Sequence, residues 1–305
     1  MAVRLPFDDI RDLVGGMPAI PREARPARPG LGRLGELAGT VAAIQGRARP
    51  SAERALVCLF VASHGIASGP DRIGQARATL ASFSDGTAPA NAACTNAALG
   101  FRAFELALDL PTGDIAREPA MDERACVATM AFGMEAVAGG ADLLALGAAG
   151  PDADLAAGAV AAALTGEPPD SWLPRGAFTE DEDAIRRALA RSGTRGGDPL
   201  ATLAELGGRD LAALAGAILA ARHGRVPVVL DGFAATVAAA LLQALDPAAL
   251  DHCFAGRAGP HPGEARLLAR LGLPPLLPDW GIEAPGVSGA LALGLVKAAT
   301  AVAAG

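Results

Sequence analysis

Short apolar runs alternate along this chain with longer alanine-rich helical patterns, and this alternation constrains the fold more than any other feature. Buried strands are predicted for "ALVCLFVA", "LLAL", "RVPVVLDG" and "DHCFAG", at residues 55–62, 143–146, 225–232 and 251–256. Parallel strands need crossover connections of a dozen or more residues, which are usually helices. The sequence therefore predicts an α/β fold whose mostly parallel sheet is covered on both faces.

The stretches between these strands favour helices. Residues 81–108 are expected to turn at Asp85-Gly86 and then to continue as a helix, and "MDERACVATMAFGMEAVAGG" starts with acids and stops at a glycine pair. Residues 166–198 are expected to form a long connection with one short helix, "EDEDAIRRALARS". The remaining helices are predicted up to about Thr165 and over residues 198–208, 209–224, 233–245, 262–273 and 288–305.

Length and composition bound the class of protein. The chain has 305 residues, 51% apolar and 19% charged, which suits a globular protein of one large or two modest domains. Its formal net charge is −7 and it has no basic stripe, so we do not expect a nucleic-acid partner.

The apolar runs are too short to span a bilayer. The segment "PREARPARPGLGR" predicts an irregular arm rather than a secretory signal. We expect a cytoplasmic protein.

The cysteines do not suggest a metal site. Cys58, Cys94, Cys126 and Cys253 lack C-x-x-C spacing, so buried free thiols are expected. His252 and Cys253 are neighbours on a predicted strand, which points them to opposite faces. We therefore predict no metal.

In parallel sheets ligands bind outside the carboxyl ends of the strands, and here that rule selects four loops. They follow Ala62, Leu146, Leu230 and the short strand at Cys253. His64 follows the first strand, either as a functional side chain or as one hydrogen-bonded to a neighbouring loop. Asp231 follows the third, where it could bind ribose hydroxyls or cap the next helix.

The stretch "GGADLLALGAAGPDAD", residues 139–154, has the outline of a phosphate-binding element. A strand leads into a turn with Gly147 and Gly150, and a helix N-terminus with free N–H groups follows. However, Pro151 removes a donor, and Asp152 and Asp154 add negative charge.

Two more side chains, Arg187 and Ser288, are candidates for anion binding on residue type alone. Gly176 and Arg187 lie in the long connection, where the arginine could donate to a phosphate or be an ordinary solvated charge. Ser288 opens the last helix, either as an N-cap or as one donor in an anion site.

The order of several segments resembles one family. "LGRLGELAGTVAAIQG", "SHGIA", the run from "EPAMDERACV" to "LLALG", and "GLPPLLPDWGIEAPGVSGALAL" follow the order found in nicotinate-nucleotide–dimethylbenzimidazole phosphoribosyltransferases. The resemblance runs from about Gly30 to the end of the chain.

The resemblance implies a Rossmann-like three-layer sheet domain and a smaller helical domain from the terminal segments. The implied boundaries are 1–50 (arm and helix) and 286–305 (terminal helix) for the small domain, and 51–285 for the large one. It also implies a homodimer and, without a cofactor, transfer of ribose phosphate from nicotinate mononucleotide to a benzimidazole nitrogen. Members of the family use one Glu, in a Gly-Glu-Gly-Ser/Thr-Gly-Ala segment, to take the proton from the incoming base.

This chain departs from the family pattern at that Glu and at the phosphate loop. The resemblance places Gly286 at the Glu position, and the nearest acid is Glu283. In the phosphate loop the family's Glu corresponds to Ala148, and its Ile-Gly-Asn-Thr corresponds to residues 151–154. The resemblance assigns Gln75 to the position of a Gln that contacts the base in the family. The residues retained from the family are His64, Gly147, Gly150, Gly176, Asp231, Ser288 and Gly289, together with a positive charge at Arg187.

Two functions follow from this pattern. The chain is either a phosphoribosyltransferase with impaired or altered catalysis and Glu283 as a substitute base, or a non-catalytic ligand-binding protein or partner subunit of an active homologue. An unrelated dinucleotide-binding oxidoreductase is disfavoured, because no G-x-G-x-x-G follows the first strand.

Overall fold

Six strands form one sheet at the centre of the protein. A computed structural model describes residues 5–21, 30–66, 71–193 and 197–304. Its strands are β1 (Ala55–Ala62), β2 (Gly100–Leu106), β3 (Leu143–Ala148), β4 (Val228–Asp231), β5 (Cys253–Arg257) and β6 (Pro275–Leu277). Their spatial order is β2-β1-β3-β4-β5-β6, and every neighbouring pair is parallel. All six carboxyl ends therefore meet at one edge of the sheet.

Helices connect these strands and cover both faces of the sheet. They are α1 (Pro6–Gly15), α2 (Arg33–Gln45), α3 (Arg72–Ser84), α4 (Pro89–Asn96), α5 (Glu123–Ala138), α6 (Ala153–Thr165), α7 (Thr179–Ser192), α8 (Pro199–Leu206), α9 (Arg209–His223), α10 (Phe233–Leu245), α11 (Glu264–Leu271) and α12 (Val287–Ala304), with a short 3₁₀ helix at Pro169–Trp172. The α/β class and most of the predicted helices are confirmed. The predicted N-terminal arm lies mainly at residues 22–29, outside the described residues.

Alternate residues of the central strands belong to two different cores. In β1, Cys58 and Phe60 pack into a core shared with α1 and α5–α10. Val57 and Leu59 pack into a second core shared with α2, α3, α4 and α12. Successive side chains of a strand point to opposite faces, so this sorting shows directly that the fold has three layers.

One predicted helix is wrong at its end, because residues 100–106 form the edge strand β2. Its Ala, Glu and Leu residues favour helix on propensity alone, but pairing with β1 overrides that preference. Phe104 stacks on Phe60 at 5.2 Å and Phe101 meets Phe83 at 5.4 Å, one on each side of the sheet. The three-residue strand β6 was also not predicted.

Helices α2 and α12, from the two terminal segments, meet on one face of the sheet, whereas α1 packs with α5 on the other face. Helix α12 packs on α2, and it also contacts β1, β3, β4 and β5 directly. The division at residues 50 and 285 stays a prediction. All four cysteines are buried and unpaired, as predicted. Among the described residues, none of the helices combines the length and hydropathy needed to cross a membrane.

Candidate functional site

A cavity of about 490 Å³ opens at the carboxyl edge of the sheet, where the sequence predicted it. Its walls come from the loops after β3, β4 and β5, from the connection before α7, and from the segment before α12. Arg72, the first residue of α3, also lines the cavity, and residues 67–70 of the loop between β1 and α3 lie outside the described residues. The polar groups of the lining are Arg72, Asp152, Asp154, Arg175, Asp181, Asp231, Arg257, His261, Glu264 and Glu283.

The cavity brings together only some of the predicted site residues. Four of them line it: Gly150, Gly176, Asp231 and Glu283. Six are not part of the lining: His64, Gln75, Gly147, Arg187, Ser288 and Gly289. Arg187 lies on the exposed face of α7, and the amide oxygen of Gln75 accepts a hydrogen bond from Arg72 at 3.3 Å.

Two glycines, Gly147 in β3 and Gly150 in the loop after it, allow neighbouring backbones to approach closely. A Cβ on Gly150 would lie 2.3 Å from the carbonyl oxygen of Ala62, and one on Gly147 would lie 3.0 Å from that of Asp231. Real Cβ atoms do not come within 2.3 Å of a backbone oxygen, so position 150 requires glycine. Packing between strand ends therefore explains these two glycines, whether or not the loop also binds an anion.

Carboxylates occupy the N-terminus of α6, where the sequence pattern suggested a phosphate. Asp152 is its N-cap residue in the left-handed conformation (φ 65°) and forms an ion pair with Arg72, Nε to Oδ2, at 3.1 Å. Burial raises the pKa of Asp154 to about 6, and the nearby Asp210 carboxylate raises it further while Arg257 opposes the shift. The helix N-terminus favours negative charge. Here Asp152 and Asp154 already supply that charge.

His64 forms a buried pair with Asp210 at the start of α9. The distance from Nε2 to Oδ2 is 3.1 Å, and both side chains are almost fully inaccessible. Burial by itself would lower the pKa of His64, but the Asp210 carboxylate outweighs it and the net pKa is raised. The pair ties the loop after β1 to α9.

Asp231 does not cap the helix that follows it. The N-cap of α10 is Gly232, with no side-chain hydrogen bond. The Asp231 carboxylate instead accepts hydrogen bonds from the backbone N–H groups of Gly286, at 3.0 Å, and Gly289. Burial raises the pKa of Asp231 to about 6, although Arg257 and these two N–H groups act against the shift.

The end of β5, the loop after it and the start of α11 contribute three cavity residues that sequence reasoning missed. Arg257 is the last residue of β5, and the predicted strand stopped one residue too early to reach it. The His261 ring stacks on Phe233, with centroids 3.7 Å apart, and burial lowers its pKa to about 4. Glu264 begins α11, and burial raises its pKa to about 8. The rule that selects strand ends would have found Arg257, whereas the other two carry no sequence signal.

Glu283 and Gly286 have different surroundings, although they are only three positions apart. Glu283 is exposed and lines the cavity together with Ala284 and Pro285. Gly286 is buried with a φ of 83°, and a Cβ there would lie 2.9 Å from Leu59 Cδ1 and 3.0 Å from Ala90 Cβ. A larger side chain at position 286 therefore meets both backbone strain and occupied space.

Comparisons with known proteins agree on one family. The phosphoribosyltransferase model DBI_PRT matches residues 20–305. The chain is 42% identical over 316 residues to the nicotinate-nucleotide–dimethylbenzimidazole phosphoribosyltransferase of Brucella anthropi, covering 97% of this chain and 93% of that protein. It is 43% identical over 317 residues to the enzyme of the same name from Rhizobium meliloti, covering 97% and 94%.

A solved structure shows the same likeness in three dimensions. The phosphoribosyltransferase of that name from Thermus thermophilus superposes with a TM-score of 0.80 at 32% identity, covering 97% of this chain and 94% of that one. A second structure, described as CobT from the same organism, gives a TM-score of 0.77 at 33% identity and covers 97% and 95%. The chain belongs to the nicotinate-nucleotide–dimethylbenzimidazole phosphoribosyltransferase family.

Proposed function

We propose that this chain transfers the ribose phosphate of nicotinate mononucleotide to a benzimidazole-type base, with Glu283 as the proton acceptor. The observation that carries the proposal is the placement of Glu283. The segment that the family resemblance assigns to the proton acceptor reaches the cavity through Glu283, Ala284 and Pro285. The names of relatives that match almost the whole chain supply the substrates.

The reaction needs one bond exchange and one proton transfer. A ring nitrogen of the base attacks the ribose C1′ as the bond from C1′ to the pyridinium nitrogen breaks. The pair of electrons returns to the pyridinium ring, so nicotinate leaves without developing negative charge on its nitrogen. The other ring nitrogen of the base then loses its proton to the Glu283 carboxylate. General base assistance of this kind contributes a factor of about 10²–10⁴ in rate.

The cavity lining supports impaired or altered catalysis, because it is poorly suited to the phosphate of the nucleotide. Asp152 and Asp154 stand at the N-terminus of α6, where a phosphate would otherwise meet free N–H groups. At ~4 Å and an effective dielectric of about 20, each like-charge contact costs about 4 kcal/mol before rearrangement. Arg72 and Arg175 also line the cavity and could hold an anion there. We therefore expect weak binding of the nucleotide.

The assay is direct. Purified protein is incubated with nicotinate mononucleotide and 5,6-dimethylbenzimidazole, and the ribotide product is measured for the wild type and for Glu283→Gln. Product from the wild type that is strongly reduced in the variant supports the proposal. If there is no product, but either compound shifts the thermal unfolding, the non-catalytic ligand-binding alternative replaces it. No product and no thermal shift would remove both.

The assembly is part of the same proposal. The family resemblance supports a homodimer as the working unit, or a heteromer with an active homologue if this chain lacks activity alone. Size-exclusion chromatography with light scattering tests the first possibility. The cytoplasmic location stays a prediction from the sequence.

A further inference from the structure

Two buried charged side chains from neighbouring strand ends converge on the segment that carries Glu283. Asp231 ends β4 and Arg257 ends β5, and these strands pair in the sheet. We infer that Arg257 and Asp231 are positioning residues, which together clamp residues 279–289, here called the Glu283 segment, against the cavity. The catalytic part of this inference rests on the proposed role of Glu283.

Arg257 holds the segment on both sides of Glu283. Its Nη2 donates to the carbonyl oxygen of Ile282, and its Nε donates to the hydroxyl of Ser288. Its Nη1 lies 4.0 Å from Oδ1 of Asp279. Only 8% of the Arg257 surface is accessible, so these bonds are shielded from competing water. Hydrogen bonds to a charged group contribute about 1.5–3 kcal/mol each.

Asp231 holds the end of the segment next to α12. One carboxylate oxygen accepts the Gly286 N–H at 3.0 Å, and Gly289 donates to the same carboxyl group. A Cβ on Gly289 would lie 2.9 Å from Oδ2 of Asp231, so the close approach depends on glycine at that position. Asp231 is therefore turned toward the segment by two backbone donors, and this geometry accounts for the carboxyl group without a ribose.

The Glu283 segment needs such a clamp because its first half has no regular secondary structure. Between the end of β6 at Leu277 and the start of α12 at Val287, the backbone is in neither a helix nor a strand. Glu283 and Trp280 are exposed, with 61% of Trp280 accessible. Hydrogen bonds from side chains at the sheet edge therefore fix this backbone in place of the main-chain hydrogen bonds of a helix or strand.

Limited proteolysis tests the clamp without any assumption about activity. Chymotrypsin cleaves after exposed aromatic residues, and mass spectrometry can follow the cut after Trp280 alone. When opening is fast, the cleavage rate reports the population of the open state. We expect Arg257→Lys and Asp231→Asn to raise this rate about tenfold or more, because each loses charged hydrogen bonds to the segment. Arg175→Lys is the matched control, since Arg175 lines the cavity but donates to Pro260.

Kinetics then separate positioning from general structural support. Arg257→Lys should lower kcat with little change in KM for nicotinate mononucleotide, and it should cause no further loss in a Glu283→Gln background. Ser288→Ala, which removes one acceptor of Arg257, should give a smaller effect of the same kind. Unchanged cleavage after Trp280 in both Arg257→Lys and Asp231→Asn would overturn the inference, as would equal losses of kcat with and without Glu283. A wild type without activity refutes the proposed function instead, and the cleavage experiment still decides the clamp.

Discussion

The Asp231 carboxylate at the end of β4 accepts a hydrogen bond from the backbone N–H of Gly286, 55 residues further along the chain, at 3.0 Å. Gly286 is the position that the family resemblance assigns to the catalytic Glu, and in this chain its backbone, not a side chain, makes the important contact. Its φ of 83° lies in the region that favours glycine. Glycine at position 286 and the geometry of the segment are thus linked.

Replacing Gly286 is expected to destabilise the protein without restoring a base. Gly286→Ala meets both the positive φ and the contact with Leu59, and should lower the free energy of unfolding by about 1–3 kcal/mol in a urea titration. Gly286→Glu should be at least as destabilised and should not raise turnover. The matched control is Gly272→Ala, which has a φ of 71° but no atom within 4 Å of its Cβ. Equal losses at both positions would show that the packing against Leu59 is unimportant.

Neutralising Glu283 is expected to reduce turnover much more than binding. Glu283→Gln keeps the size of the side chain but cannot accept the proton, so kcat should fall by about 10²–10⁴ while KM for both substrates changes little. Glu283→Asp should retain part of the rate. Glu182→Gln, on α7 and paired with Arg186, serves as the control. If Glu283→Gln turns over at the wild-type rate, the proton acceptor lies elsewhere.

The fold could be predicted from the sequence because hydrophobic periodicity reports burial. The strands buried on both faces, such as β1 and β3, are continuous apolar runs; β1 was predicted to the residue and β3 two residues short. Strand β2 is an edge strand with an intermittent burial pattern. Its residues have helical propensity, and their hydrophobicity has no clear period. Its conformation is set by pairing with β1, which local sequence does not encode.

The candidate site could be predicted only where it follows from topology. The carboxyl-edge rule located the cavity and three of its loops, because parallel strands end at the same edge. It could not show that Asp231 turns toward Gly286, or that Glu264 lies at the cavity beside Arg257. Those relationships join residues far apart in the chain, and no spacing pattern in one sequence reports them.

Removing the charge of Asp152 is expected to strengthen nucleotide binding. Asp152→Asn abolishes one like-charge contact with a phosphate and releases Arg72 from its ion pair. Asn tolerates the left-handed backbone of this position well, so the loop should keep its shape. We expect KM for nicotinate mononucleotide to fall about tenfold, which corresponds to about 1.4 kcal/mol. Asp183→Asn on the exposed face of α7 should leave KM unchanged, and an unchanged KM in Asp152→Asn as well would show that the phosphate binds away from α6.

The buried carboxyl group of Glu264 is expected to make the protein less stable as the pH rises. Burial raises its pKa from 4.5 to about 8, so the folded state retains a proton that the unfolded state has already lost. The stability gained by holding this proton is complete below pH 4.5. It is lost as the pH rises toward 8, at about 1.4 kcal/mol for each pH unit between the two pKa values.

The comparison of Glu264→Gln with the wild type isolates this group. The pKa values of Asp154 and Asp231 are raised to about 6, so their contributions to stability are lost at lower pH than that of Glu264. The range that isolates Glu264 is therefore about pH 6.5–8.5. Over that range His64, whose pKa is also raised, contributes equally to both proteins. The melting temperature of Glu264→Gln should therefore fall less than that of the wild type, and Glu180→Gln, at an exposed position of α7, should follow the wild type. Parallel curves for Glu264→Gln and the wild type would mean that Glu264 is ionised in the folded protein throughout this range.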